Sequence, residues 1–262
     1  MSHFLKTVAR EVIVRTPVLR ESFFDYEFAR HEQSFRGIYD SFSEALDRAP
    51  AGKLTGYDHE EVAFIDRPNL DRLNSADYPV LFWLSRILPQ APAVFDLGGN
   101  LGVAYYAYRR HLEFPAKLHW TVCEVSETAR AGRELAEEKG EKQLAFTDDR
   151  KAAPEADIFF TAGALQYIDE PVTAILAARP KRPRHVLIQR VPLSSEEPFI
   201  TLQNNGAWIV PYKVENETTF IASVKALGYE LVDHWRTARK LQVLMYPLSH
   251  EAIYQGMYFR LR

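Results

Sequence analysis

The chain has 262 residues, 47% of them hydrophobic and 26% charged, with a net charge of −3. That composition is that of a globular protein, with one large domain or a domain plus an appended part, and it argues against a nucleic-acid binder, which needs a basic excess. The single cysteine, Cys123, excludes an internal disulfide and a cysteine-cluster metal site, and it fits a reducing compartment, the cytoplasm.

The N-terminal stretch MSHFLKTVAREVIVRTP is interrupted by Lys6, Arg10, Glu11 and Arg15, so neither a signal peptide nor a stable membrane insertion is expected. Phe4, Leu5, Val8, Val12 and Ile13 share one helical face. They are read as a helix packed on the domain, with a membrane-surface helix as the alternative. Residues 1–90 show helical patches and no strong strand signal, and they are taken as a helical cap or lid. Ser41 and Glu44 have capping-box spacing, and the apolar run PVLFWLSRIL reads as a helix ending at Pro89.

From residue 91 to 262 the pattern alternates. Strands are predicted at 93–97, 118–125, 144–147, 157–161, 185–189, 229–234 and 254–261. Helices are predicted at 103–112, 126–139, 167–178 and 217–227, with Gly140 and Gly228 as stops. Such alternation predicts an α/β fold: a Rossmann-like, doubly wound, mainly parallel seven-stranded sheet. Residues 190–216 break the rhythm and are read as an insertion on the acceptor side, with a surface hairpin as the bland alternative.

Ligands on such sheets bind beyond the carboxyl ends of the strands. The first strand runs into Asp96-Leu97-Gly98-Gly99-Asn100-Leu101-Gly102. The dinucleotide pattern G-x-G-x-x-G fails from either Gly98 or Gly99. An acid followed by small residues, D-x-G-x-N-x-G here, suits S-adenosylmethionine instead, because that cofactor has no pyrophosphate and ends in a zwitterion. The acid can meet its ammonium, and small residues let the backbone approach. Glu124 ends the second strand, where a carboxylate can accept ribose hydroxyls; Asp148 follows the third, within reach of an adenine amino group. Thr161, Ala162 and Gly163 follow the fourth and leave room for a ligand.

The span from about residue 94 to 190 resembles the core of the seven-stranded S-adenosylmethionine-dependent methyltransferases, through DLGGNLG, VCEV and DIFFTAGALQYI. From about residue 35 onward the chain also resembles a family of methyltransferases that accompanies bacterial surface-polysaccharide genes. FRGIYDSFSEA, LTGYDHE, TAGALQYIDEP, QRVPL, FITLQNNG and YQGMYFR carry that likeness. The resemblance implies that Asp96, Gly98, Gly99, Asn100, Gly102 and Glu124 bind the cofactor, with S-adenosylhomocysteine as product, and that the last strand is antiparallel.

Chemistry beyond the cofactor has no signature. His234, after the sixth strand, and His59, in LTGYDHE, are the candidate bases. Gln189, Arg190, Asn204, Trp208 and Tyr212 are candidate acceptor-binding residues, with Gln203 and Asn205 beside them. No His/Asp cluster has metal-ligand spacing, so no metal is expected. The expected activity is O-methylation of a small or glycan-linked acceptor. Alternatives are a cofactor-binding protein without chemistry, an assembly partner in polysaccharide biosynthesis, and a nicotinamide oxidoreductase, which the glycine spacing disfavours.

Overall fold

The computed structural model describes residues 16–59, 67–151, 154–245 and 250–262. The apolar face of Phe4, Leu5, Val8, Val12 and Ile13 lies outside the described residues. No helix among the described residues is long and apolar enough to cross a membrane.

The first helix, α1 (Pro17–Arg30), opens with proline in its first turn, where the missing N–H costs nothing. Strand β1 (Ser34–Tyr39) follows, then α2 (Phe42–Asp47). Ser41 caps α2 as its spacing predicts, its hydroxyl accepting from Glu44 N at 3.1 Å; the Glu44 carboxylate reaches back to Asp40 N, one residue beyond the cap. Strand β2 (Leu54–Thr55) is short. Helix α3 (Tyr78–Ile87) is launched by a capped turn: the Asn74 side chain accepts from Ala76 N and the Asp77 carboxylate from Asn74 N.

Five parallel strands follow: β3 (Ala93–Leu97), β4 (His119–Cys123), β5 (Leu144–Thr147), β6 (Ile158–Ala162) and β7 (His185–Ser194). They lie in the order β5-β4-β3-β6-β7. Helices α4 (Val103–Tyr108), α5 (Ser126–Glu138) and α6 (Val172–Ala177) connect them. Ser126 is the first residue of α5 rather than its cap, which is Val125. Alternate residues feed the two faces. Val94, Trp120, Val122, Phe160 and Leu187 pack in one core with α3 and α4. Phe95, Phe159, Val186 and Ile188 pack in another with α6 and Phe220 of α7 (Glu217–Ala226). Strands covered on both faces read as continuous apolar runs, and each fully buried large side chain contributes roughly 1.5–3 kcal/mol.

Strands β10 (Tyr229–Leu244) and β11 (Glu251–Leu261) complete the sheet, with β11 antiparallel to both β7 and β10. The expectation of a seven-stranded doubly wound sheet holds only in part, because the sheet continues. Strand β1 pairs parallel with β10 and antiparallel with β8 (Phe199–Asn204); β8 pairs antiparallel with β9 (Trp208–Asn216), and β9 returns to β7 through Leu193 and Glu215. Strands β7, β11, β10, β1, β8 and β9 thus close a six-stranded barrel of mixed direction. Residues 34–39 belong to it, so the N-terminal part is not a purely helical cap. Residues 199–216 are a hairpin, but a largely buried one.

The barrel begins where the pairing of β7 with β11 slips by one residue. Gln189 and Arg190 lie between the pairs Ile188–Met257 and Val191–Gln255, so that two residues oppose Gly256. Such a bulge bends and twists a strand. Gly256 is required there: a Cβ on it would lie 2.2 Å from the Trp235 indole. Past the bulge the barrel is filled by Phe35, Phe199, Tyr212, Val214, Leu241 and Tyr254, with smaller neighbours.

Candidate functional site

Beyond β3 the chain turns through Gly98 (φ +69°), Asn100 (φ +54°) and Gly102 (φ +83°) into α4. Asn100 takes the left-handed conformation at the position expected for a middle glycine, which Asn tolerates, and its own side chain accepts from Leu101 N at 2.6 Å. A Cβ at Gly98 would lie 2.2 Å from the Ala164 side chain, and one at Gly99 would lie 2.4 Å from the Asp96 carboxylate. The turn is therefore built for close approach.

Asp96 is fully buried. Its Oδ2 accepts from Trp120 Nε1 at 3.0 Å, and its Oδ1 has no partner. Burial pushes its carboxyl up to about 7, and the Glu124 charge adds to that; the Trp120 bond and the Arg190 charge oppose it. Glu124 ties β4 to the turn, its two oxygens accepting from Asn100 N (2.9 Å) and Val125 N (3.1 Å). Asp148 accepts from Ser126 Oγ at 3.0 Å.

Asp96, Gly98, Gly99, Asn100, Glu124 and Asp148 line one cavity of about 1100 Å³, and Ala162 and Gly163 line it from β6. Gly102 and Thr161 do not; Thr161 is buried behind the wall with an unpartnered hydroxyl. The cavity extends to the barrel mouth, where Trp208 and Tyr212 line it. There Tyr57 packs edge-on against Tyr167 (4.8 Å between ring centres) and Trp208 (5.8 Å), and burial pushes its phenol up to about 12. The Gln203 side chain accepts from Tyr167 Oη (2.8 Å) and donates to Gln33 Oε1 (3.0 Å); Tyr212 and Tyr254 share a hydroxyl contact of 2.6 Å.

The segment carrying Tyr57 is pinned across the cavity. Asp58 Oδ1 accepts from Glu127 N at 3.0 Å, satisfying an orphan amide in the first turn of α5. This segment belongs to LTGYDHE, of which residue 60 lies outside the described residues.

Other expected residues stand elsewhere. Gln189 donates to Asp77 Oδ1 (2.8 Å) and accepts from Trp235 Nε1 (3.3 Å), docking the N-terminal part on the sheet. Asn204 donates to Phe28 O (2.6 Å) and accepts from Lys53 Nζ (3.0 Å). His234 contacts the Gln255 side chain, and His59 contacts Thr55 O at 2.8 Å. None of these four lines the cavity, and among the described residues no histidine does. Asp77, Tyr254 and Arg239 line it although no sequence motif assigns them there. Only Asp77 carries a readable signal, the N-x-x-D cap before an apolar run. Among the described residues no group of three or more His, Cys, Asp or Glu side chains is placed to hold a metal ion.

No protein-family model matches the sequence, and no curated protein does. In three dimensions the chain is similar to the N-terminal domain of EvdMO1 with SAH bound, with a TM-score of 0.50 and 15% identity over 75% of this chain and 85% of that one. It is also similar to the Burkholderia thailandensis 1,6-didemethyltoxoflavin-N1-methyltransferase with bound 1,6-didemethyltoxoflavin and S-adenosylhomocysteine. There the TM-score is 0.51 and the identity 18%, over 76% of this chain and 84% of that one. The α/β part of this chain shares its fold with these two structures. At these identities the likeness concerns the fold, and the closed barrel follows from this chain's own strand pairing.

Proposed function

We propose that this protein is an S-adenosylmethionine-dependent methyltransferase that methylates an oxygen of a small or glycan-linked acceptor held at the barrel mouth. The observation that carries the reading is Asp96: a buried carboxylate with one unpartnered oxygen, on a residue of the cavity lining, beside a turn too tight for any side chain at Gly99. An unpaired buried acceptor is costly, and a ligand ammonium would satisfy it. Glu124 and Asp148 would hold the ribose and the adenine, and Ala162 and Gly163 leave room beside them. The two similar structures contain the product form of this cofactor.

When bound, the cofactor supplies an electrophilic methyl group on a sulfonium sulfur. The chain's own contribution is to orient the acceptor and exclude water. The barrel mouth supports the first of these roles, and the Tyr57 segment, pinned by Asp58, supports the second. Phenols and amides at the mouth suit an acceptor with several hydroxyls. The lone cysteine supports a cytoplasmic setting.

The absence of histidine from the cavity lining, among the described residues, favours a second reading. In it the cofactor is held without conversion, for instance in an assembly partner for polysaccharide biosynthesis. Incubation with radiolabelled methyl donor and a panel of sugars, phenols and hydroxy acids separates the two. Label transferred to an acceptor hydroxyl supports the enzyme. Tight donor binding without transfer to any member of the panel favours the second reading.

A further inference from the structure

Arg190 sits in a conformation that few arginines adopt. Its φ is +56°, in the bulge opposite Gly256. A left-handed backbone at a non-glycine residue is strained, and bulges commonly re-aim a side chain. Here the side chain is aimed across the sheet. Nη2 donates to Ala162 O, at the end of β6, at 3.0 Å. Gly163 lies alongside, and a Cβ on it would stand 3.5 Å from Arg190 Nε. That Nε is buried and has no hydrogen-bond partner, and Arg190 lines the same cavity as Asp96.

Two residues of one cavity lining therefore carry buried, unsatisfied groups of opposite sign, an acceptor at Asp96 Oδ1 and a donor at Arg190 Nε. They act on one another through space, since the Arg190 charge favours the ionised form of Asp96. Leaving either unpaired in a buried setting is expensive, and a guanidinium is shaped to meet a carboxylate. An α-amino-acid end offers an ammonium and a carboxylate from a single carbon, and so answers both groups at once.

We infer that Arg190 holds the carboxylate of the donor's amino-acid end, opposite Asp96, which holds its ammonium. This rests on the methyl-donor reading above. It moves Arg190 from the acceptor side, where sequence position suggested it, to the cofactor side. It also explains the bulge, because in regular β7 geometry residue 190 would keep strand pairing and would not need the left-handed turn.

The test is calorimetric titration of the full chain with two ligands. One is S-adenosylhomocysteine; the other is 5′-methylthioadenosine, the same nucleoside thioether without the amino-acid end. The wild type is expected to prefer the first by about 100-fold. Arg190→Gln should weaken S-adenosylhomocysteine by about 30-fold, the usual scale of a charge-assisted pair, and leave 5′-methylthioadenosine unchanged. Arg190→Lys, which keeps the charge but not the fork, should lose less. Unchanged 5′-methylthioadenosine binding also reports that the variants keep their fold.

Full affinity for S-adenosylhomocysteine in Arg190→Gln overturns the inference and returns Arg190 to the acceptor side. An equal loss for both ligands, or no preference in the wild type, overturns it as well. In each of these cases the wild type still binds the nucleoside, so the methyl-donor reading stands. Binding of neither ligand to the folded wild type removes that reading and this inference together.

Discussion

A Cβ built on Gly99 would lie 2.4 Å from Asp96 Oδ2, the same oxygen that accepts from the Trp120 indole. The acid and the glycine three residues later form one unit, because neither can move while Trp120 is packed in the core. Gly99→Ala should therefore cost roughly 1–3 kcal/mol of stability and at least tenfold in S-adenosylhomocysteine affinity. In Gly99→Ala/Asp96→Ala the stability loss should be less than the sum of the single losses, while binding stays lost. Thermal melts and titration of the three variants measure this coupling.

The Asp96 carboxyl also sets a pH dependence. Burial, joined by the Glu124 charge, raises it to about 7 in the folded chain, against about 4 for an unfolded aspartate. The native state thus holds this proton more tightly than the unfolded state. The group's contribution to stability is full below about pH 4, is lost as pH rises to about 7, and is constant above that. Asp96→Asn does not titrate and can keep the oxygen that accepts from Trp120. It should be more stable than the wild type at about pH 8, by on the order of 2–4 kcal/mol, and converge with it near pH 4. It should at the same time lose S-adenosylhomocysteine binding. Denaturant melts across pH check the sign; a variant less stable at pH 8 would mean Asp96 is not held near neutrality by burial.

Asp58 couples the strap over the cavity to the first turn of α5. Asp58→Ala should destabilise by about 1 kcal/mol, the usual cost of a lost helix cap. The Glu127 amide should then exchange its hydrogen faster, and ligand affinity should fall a few-fold because Tyr57 is no longer held over the cavity. Hydrogen exchange with and without S-adenosylhomocysteine measures both effects.

Gly256 and Trp235 control the passage from sheet to barrel. Gly256→Ala should cost roughly 2–3 kcal/mol, since the indole is hemmed in by Gln189 and the β10–β11 pairing. The same change should disturb the bulge at Arg190 and weaken S-adenosylhomocysteine more than 5′-methylthioadenosine. Denaturation and paired titrations test this.

The β3–β7 region is legible in the sequence because strands buried on both faces are continuous apolar runs and their stops are glycines and prolines. Asp96, the glycine turn and Glu124 can be found for the same reason: a strand end fixes where its next residue faces. The barrel is not legible. Its second half of β10, WRTARKLQVL, is polar on its outer face and carries arginine and lysine at most exposed positions, so its strand signal is weak. Its partner β1 lies some 200 residues away in sequence and makes a parallel pairing that no local pattern encodes. His234 and His59 show the limit of reading sites by position alone. A residue beyond a predicted strand end is expected at the cleft, but β10 in fact runs on to Leu244, so His234 is mid-strand and turned to Gln255.

Whether the turn after β3 holds a methyl donor decides the roles of Asp96, Glu124 and Arg190. Calorimetric titration of the purified chain with S-adenosylhomocysteine, with NAD run in parallel, addresses it without any intermediate step. Micromolar binding of S-adenosylhomocysteine alone is expected, abolished in folded Asp96→Ala and Glu124→Ala. Binding of NAD, or of neither ligand to the folded protein, would refute the methyl-donor site.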